Sequence, residues 1–221
     1  MTAETWARVD DYFAAALAPA DAALDAALSA SEAKGLPPHA VSALQGKLLH
    51  VLARSVGAHR ILEIGTLGGY STIWLARALP EYGHLVTLES NAAHAAVARR
   101  NLEVAGLSNR VELREGPALE SLAGICRYES ATYDFIFIDA DKPSNPEYLQ
   151  YALRLARPGA LLVADNVVRG GSVAEDGSDD PNVAGVRRFV DLVAAEPRLA
   201  ATAVQTVGAK GYDGFLLALV G

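Results

Sequence analysis

From residue 60 onward, short apolar runs alternate with segments in which apolar residues recur every three or four positions. RILEI (60–64), HLVTLE (84–89), RVELR (110–114), YDFIFID (133–139) and ALLVAD (160–165) read as strands. Helical spacing falls between them, over 69–78, 91–105, 118–124, 144–156 and 183–195. Gly106 closes the second of these helices, and Pro146 stands in the first turn of the fourth. LAATAVQTVG (199–208) and YDGFLLALV (212–220) follow with only a short turn between them, so they read as a hairpin. Strands alternating with helices predict an α/β fold with a doubly wound, mostly parallel sheet. The closing hairpin is expected to add one antiparallel edge strand.

Before residue 60 the chain is alanine-rich. It reads as two short helices, broken near Pro19 and stopped by KGLPP (34–38). A third helix follows Val41, where Ser42 and Gln45 have the spacing of a capping box. With no repeat and no long linker, residues 1–221 are expected to form a single domain, with residues 1–40 as a helical cover. That cover either packs on the core or also shapes a pocket.

Charge narrows the partners. A formal net charge of −7 with no basic stripe argues against nucleic acid. No apolar run reaches membrane-spanning length, and MTAETWARVDDYF shows no signal-peptide pattern. Cys126 is the single cysteine, so no internal disulfide forms. A cytoplasmic protein is expected.

In a doubly wound sheet, ligands bind beyond the carboxyl ends of the strands, where strand order reverses. The residues there are 63–65, Glu89, 116–118, 139–142, Asp165 and Asn166, all acids or glycine turns in large part. In LEIGTLGGYST (62–72), Gly65, Gly68 and Gly69 allow a tight turn and a close ligand. Leu67 occupies the second glycine position of the dinucleotide fingerprint, which weakens a pyrophosphate reading. Glu89, ending the second strand, can accept the hydroxyls of a ribose. Together these suggest a nucleoside site without a diphosphate.

AVSALQGKLL, ILEIGTLGGYST, VTLE, GPALE, FIFIDADK, ALLVADNVVRGG and GYDGFLLAL together resemble the class I S-adenosylmethionine-dependent methyltransferases. More narrowly, they are similar to the cation-dependent O-methyltransferases related to catechol and caffeoyl-CoA O-methyltransferases. The resemblance runs from residue 40 to 221 and implies a seven-stranded, Rossmann-like methyltransferase sheet. It implies S-adenosylmethionine as cofactor. Val41 would lie in the segment folding over it, and Glu63, Gly65, Thr66 and Ser71 would hold its methionine end. Glu89 would take the ribose, and the N–H of Ala118 would face the adenine. Pro117 stands where many relatives carry an acid or a serine. Asp139 would serve both cofactor and metal.

The resemblance also makes the fourth and fifth strands neighbours, which converges Asp139, Asp165 and Asn166. Hard oxygen ligands of this kind suit Mg²⁺. A phenol, with a pKa of ~10, is a poor nucleophile near neutrality, and a cation would stabilise its phenolate. Lys142 would be the base, acting with Asp139, while Asp141 would secure the turn. The implied acceptor is an ortho-diol of catechol or caffeoyl type, and the implied assembly is a homodimer. Relatives often place an aromatic wall just after the DN pair, where this chain has Val168 and Arg169. The loop 169–182 reads either as a mobile lid or as a solvated acidic loop. His39, His50, His59, His84 and His94 show no metal-ligand spacing. Two other readings stay open: a nicotinamide-dependent oxidoreductase on a similar sheet, and a non-catalytic nucleoside-binding protein.

Overall fold

The computed structural model describes residues 2–19, 21–128 and 132–221. Three helices come first: α1 (Ala3–Leu17), α2 (Ala22–Ala33) and α3 (Ala43–Ser55). The alternating part runs β1 (Arg60–Ile64), α4 (Tyr70–Ala76), β2 (His84–Glu89), α5 (Ala92–Val104), β3 (Val111–Glu115) and α6 (Ala118–Tyr128). It continues with β4 (Tyr133–Ile138), α7 (Asn145–Leu155), β5 (Ala156–Asp165), α8 (Pro181–Ala195), β6 (Leu199–Gly208) and β7 (Gly211–Val220). Short 3-10 turns occupy Lys142–Ser144 and Arg169–Ala174.

Local chemistry sets several boundaries. Ser42 caps α3: its Oγ accepts from Gln45 N at 3.2 Å, and Gln45 Oε1 accepts from Ser42 N at 2.8 Å. Asp21 and Asn91 cap α2 and α5 through side-chain oxygens.

The seven strands lie in the order β3-β2-β1-β4-β5-β7-β6. The first five are parallel. Residues alternate between two cores, as the two-residue period of a strand requires. Leu62, Ile64, Ile136 and Ile138 face a core built with α6, α7 and α8. Ile61, Phe135 and Phe137 face another built with α2, α3, α4 and α5.

One expectation needs correction. The antiparallel strand β7 is not the edge; it inserts between β5 and β6. The reason lies in its side chains. Phe215 is buried in one core while Leu216, Ala218 and Val220 are buried in the other, so β7 needs cover on both faces. β6 is largely exposed and takes the edge. Helix α1 packs along the hairpin, where Asp10 Oδ2 accepts from Ala209 N at 2.8 Å. Among the described residues, no helix is long and apolar enough to cross a membrane.

Candidate active site

Strand order reverses between β1 and β4, and the candidate residues gather at the carboxyl ends on either side. Gly65 ends β1 with φ 100°. A Cβ there would sit 2.1 Å from the carbonyl oxygen of Asp139, so only glycine lets the two chain segments lie so close. Asp139 N donates to Ile64 O at 2.8 Å, locking that approach. The turn then bends through Leu67, whose φ is 50°, and reaches Gly69 at the start of α4. Leu67, rather than Gly68, takes the left-handed conformation.

Glu89 holds this turn. Its Oε2 accepts from Leu67 N at 2.8 Å and Thr66 N at 3.3 Å, and its Oε1 from Asn91 N at 2.9 Å. The expected ribose acceptor is therefore first a clamp on the turn that faces the ligand. His94 stands 3.7 Å from the same carboxylate.

Glu63 departs from its expected place. It is fully buried, so it offers no surface to a ligand. Its Oε1 accepts from Ser71 Oγ at 2.7 Å, and its Oε2 from Thr72 Oγ1 at 2.5 Å and Thr87 Oγ1 at 2.7 Å. The single proton of Thr87 goes to Glu63, so Thr87 accepts from Thr66 Oγ1 at 2.6 Å. Burial pushes the Glu63 carboxyl up to about 7; the three hydroxyls oppose that shift and Asp139 adds to it. Glu63 orients Ser71 and Thr66 from behind. Thr66 is itself nearly fully buried. Val41, also buried, immediately precedes the cap of α3. Ala118 opens α6, so its N–H is among those a helix leaves without an internal partner.

Strands β4 and β5 pair in parallel with Ile138 opposite Ala164, which sets Asp139 beside Asp165. Asp165 is buried, and its carboxyl is pushed up to about 7, first by burial and then by the charge of Asp139. Asn166 follows in a left-handed conformation, φ 57°, and its N–H donates to Asp165 Oδ1 at 2.6 Å. Lys142 is 5% exposed and its Nζ lies 3.0 Å from Asp139 Oδ1. Asp141 serves the turn, as expected: its carboxylate accepts from Ser144 Oγ at 2.5 Å and Tyr148 Oη at 2.6 Å.

Among the described residues, no three His, Cys, Asp or Glu side chains form a metal cluster by themselves. The candidate set depends on the Asn166 amide beside two carboxylates. Such a donor set fits a hard divalent cation, which also answers the charge that Asp139 and Asp165 place side by side.

Sequence reasoning missed two supports. Asp213 of β7 accepts from Val168 N at 2.9 Å, Arg169 N at 3.1 Å and Gly214 N at 3.0 Å, holding the segment after Asn166. Its signal was the Asp-Gly pair inside an apolar strand. Gly185 of α8 packs on the backbone of Lys142, where a Cβ would come within 2.2 Å of the carbonyl oxygen. Nothing local in the sequence marks that contact. Part of the loop expected at 169–182 is tied down. Arg187 Nε donates to Val173 O at 2.9 Å, and its Nη2 to Ser172 O at 3.3 Å and to Glu175 O.

The sequence profile of the O-methyltransferase family matches residues 20–219. The chain belongs to the O-methyltransferase family. Its enzyme class is that expected from the sequence, and it displaces the oxidoreductase and the non-catalytic readings. The chain is 52% identical to a catechol O-methyltransferase of Mycobacterium tuberculosis, over 96% of this chain and 94% of that one. It is 48% identical to a catechol O-methyltransferase of Niastella koreensis over the full length of both. The solved O-methyltransferase from Bacillus cereus in complex with SAH superposes with a TM-score of 0.98, at 54% identity and full coverage of both chains. The methyltransferase fold is therefore shared, including its closing antiparallel hairpin.

Proposed function

We propose that this O-methyltransferase moves the methyl group of S-adenosylmethionine to one hydroxyl of a catechol-like ortho-diol. In this reading Asp139, Asp165 and Asn166 hold a divalent cation, Mg²⁺ by its preference for such oxygens, and Lys142 is the base.

 The observation that carries it is the pair of carboxylates on adjacent strand ends with a buried lysine 3.0 Å from one of them. The named catechol O-methyltransferases at about half identity support the acceptor class, and the SAH held by the Bacillus cereus relative supports the methyl donor.

The chain's own residues divide the work. Glu89 shapes the turn at 66–69 and offers its remaining acceptor capacity to the ribose. Ser71, oriented by Glu63, and the backbone of Gly65 and Thr66 line the methionine end, under Val41. The free N–H of Ala118 faces the adenine, since Pro117 has none to give. When bound, the cation supplies Lewis acidity that favours the ionised form of the acceptor hydroxyl. Lys142 Nζ takes the hydroxyl proton, and its burial beneath α8 keeps the amine at a fixed point beside Asp139. The acceptor oxygen attacks the sulfonium methyl carbon, a C–O bond forms as the S–CH₃ bond breaks, and the thioether leaves neutral. The chain works as a homodimer in this reading, a state supported by exposed Val9, Tyr12, Phe13 and Leu17 along α1.

The test is removal of metal and base separately. Exhaustive chelation should abolish methyl transfer to catechol, and added Mg²⁺ should restore it. Lys142→Ala should retain cofactor binding and lose rate by ~10²–10⁴-fold, with part of the loss recovered at high pH, where the acceptor ionises unaided. Full activity after chelation discards the metal role, and an unchanged rate in Lys142→Ala discards the base.

A further inference from the structure

Arg169 follows the candidate site in the chain, and its Nε is buried without a hydrogen-bond partner among the described residues. It stands three residues beyond Asn166, in a left-handed conformation with φ 55°. That conformation is uncommon for a side chain of its size and is found mostly where surrounding contacts impose it. The imposing contact is Asp213, which accepts from the N–H of both Val168 and Arg169. The side chain is partly buried, and its Nε is buried with no acceptor in reach. Among the described residues, no carboxylate lies within ion-pair distance of it.

Among the described residues, the cations of the flanking segments have acceptors. Lys142 pairs with Asp139. Arg187 holds the carbonyl groups of Ser172, Val173 and Glu175. Arg188 reaches Pro143 O at 3.4 Å. Asp180 feels the charge of Arg169 without forming an ion pair with it; its Oδ1 accepts from Asn182 N and Nδ2, both at 2.8 Å. Asp213 Oδ1 accepts three backbone N–H groups, and neither of its oxygens is within ion-pair distance of the Arg169 guanidinium. A buried guanidinium nitrogen without an acceptor is costly unless a ligand supplies one.

We infer that Arg169 receives an acidic substituent of the methyl acceptor, so the preferred substrates are ortho-diols that carry a carboxylate. This rests on the ortho-diol reading given above. The three backbone steps from Asn166 to Arg169 span at most about 10 Å, the scale of one substituted aromatic ring. A diol seated at Asp165 and Asn166 would then lie within about one ring's length of the Arg169 backbone. A carboxylate there would meet the fork of donors that an arginine presents.

The experiment compares kcat/KM for catechol and for protocatechuate, a catechol bearing a ring carboxylate, in the wild type, Arg169→Gln and Arg169→Lys. The wild type should prefer the acid by about ten-fold or more, the scale of one charge-assisted hydrogen bond. Arg169→Gln should erase that preference through KM, and Arg169→Lys should keep a good part of it. An equal drop on both substrates in Arg169→Gln, or no preference in the wild type, overturns the inference. Calorimetry with protocatechuate reads the same contact without turnover. If neither diol is methylated, the acceptor reading fails on its own, and weaker protocatechuate binding by Arg169→Gln than by the wild type still supports the arginine. Equal binding by the two proteins overturns it.

Discussion

The backbone N–H of Leu67 donates to Glu89 Oε2 at 2.8 Å, which ties the end of β2 to the turn that follows β1. The same carboxylate takes two further N–H groups, from Thr66 and Asn91. Glu89 therefore has a structural role as well as its proposed contact with the ribose. Glu89→Ala should lower stability by roughly 1.5–3 kcal/mol and weaken S-adenosylmethionine binding as well. Urea unfolding and calorimetry on the same variant read the two effects. Weak cofactor binding with unaltered stability would show that the clamp contributes nothing to folding.

Glu63 makes stability depend on pH. Its carboxyl has an ordinary value of 4.5 and is raised to about 7 in the folded chain. Between those values the folded state holds a proton that the unfolded state has released. Stability should therefore fall as pH rises through that window, by up to about 1.4 kcal/mol per pH unit. Below it both states are protonated and Glu63 adds no slope. Glu63→Gln cannot titrate, so its stability should change less between mildly acid and neutral pH. Parallel stability curves for the two proteins would rule out the buried proton.

Gly185 gives a test of positioning apart from chemistry. A Cβ at this position meets the Lys142 carbonyl oxygen at 2.2 Å, so Gly185→Ala must push α8 or the lysine segment away. The variant should lose about ten-fold or more in kcat, because a displaced base no longer meets the acceptor hydroxyl. Its affinity for S-adenosylmethionine should fall by much less than kcat, since Gly185 touches the Lys142 backbone and not the turn at Gly65–Gly69. A normal kcat in a folded Gly185→Ala protein would mean that Lys142 does not need this seat.

The acceptor itself can be probed by removing one hydroxyl. An ortho-diol offers two oxygens and so fixes which one faces the methyl group, whereas phenol offers one and leaves its orientation free. Initial rates should favour catechol over phenol by at least about ten-fold. Equal turnover would argue that one hydroxyl suffices.

Much of the fold was legible because it is written in local periodicity. The capping box at Ser42 and Gln45, the apolar run YDFIFI and the break at Pro19 all act within a few residues. The meeting of Asp139 and Asp165 was legible only through a resemblance that supplied the strand order, since the two lie on strands separated by a whole helix. What escaped depends on contacts distant in sequence. The burial of Glu63 arises from hydroxyls on α4 and β2. The seat that Gly185 provides is 43 positions from Lys142 in the chain and has no local signature. The inner place of β7 follows from the need to cover two apolar faces, which a hairpin signal alone does not express.

Helix α8 bears on Lys142 through Gly185, and two residues later its Arg187 grips the carbonyl groups of the loop after β5. A close-packed helix moves as one beam, so these two attachments share one mechanical state. A displacement of the loop would load the same beam that seats Lys142. In the proposed mechanism an acceptor that displaced the loop would thereby shift Lys142 as well, so bulk near the loop would cost rate even with the diol in place.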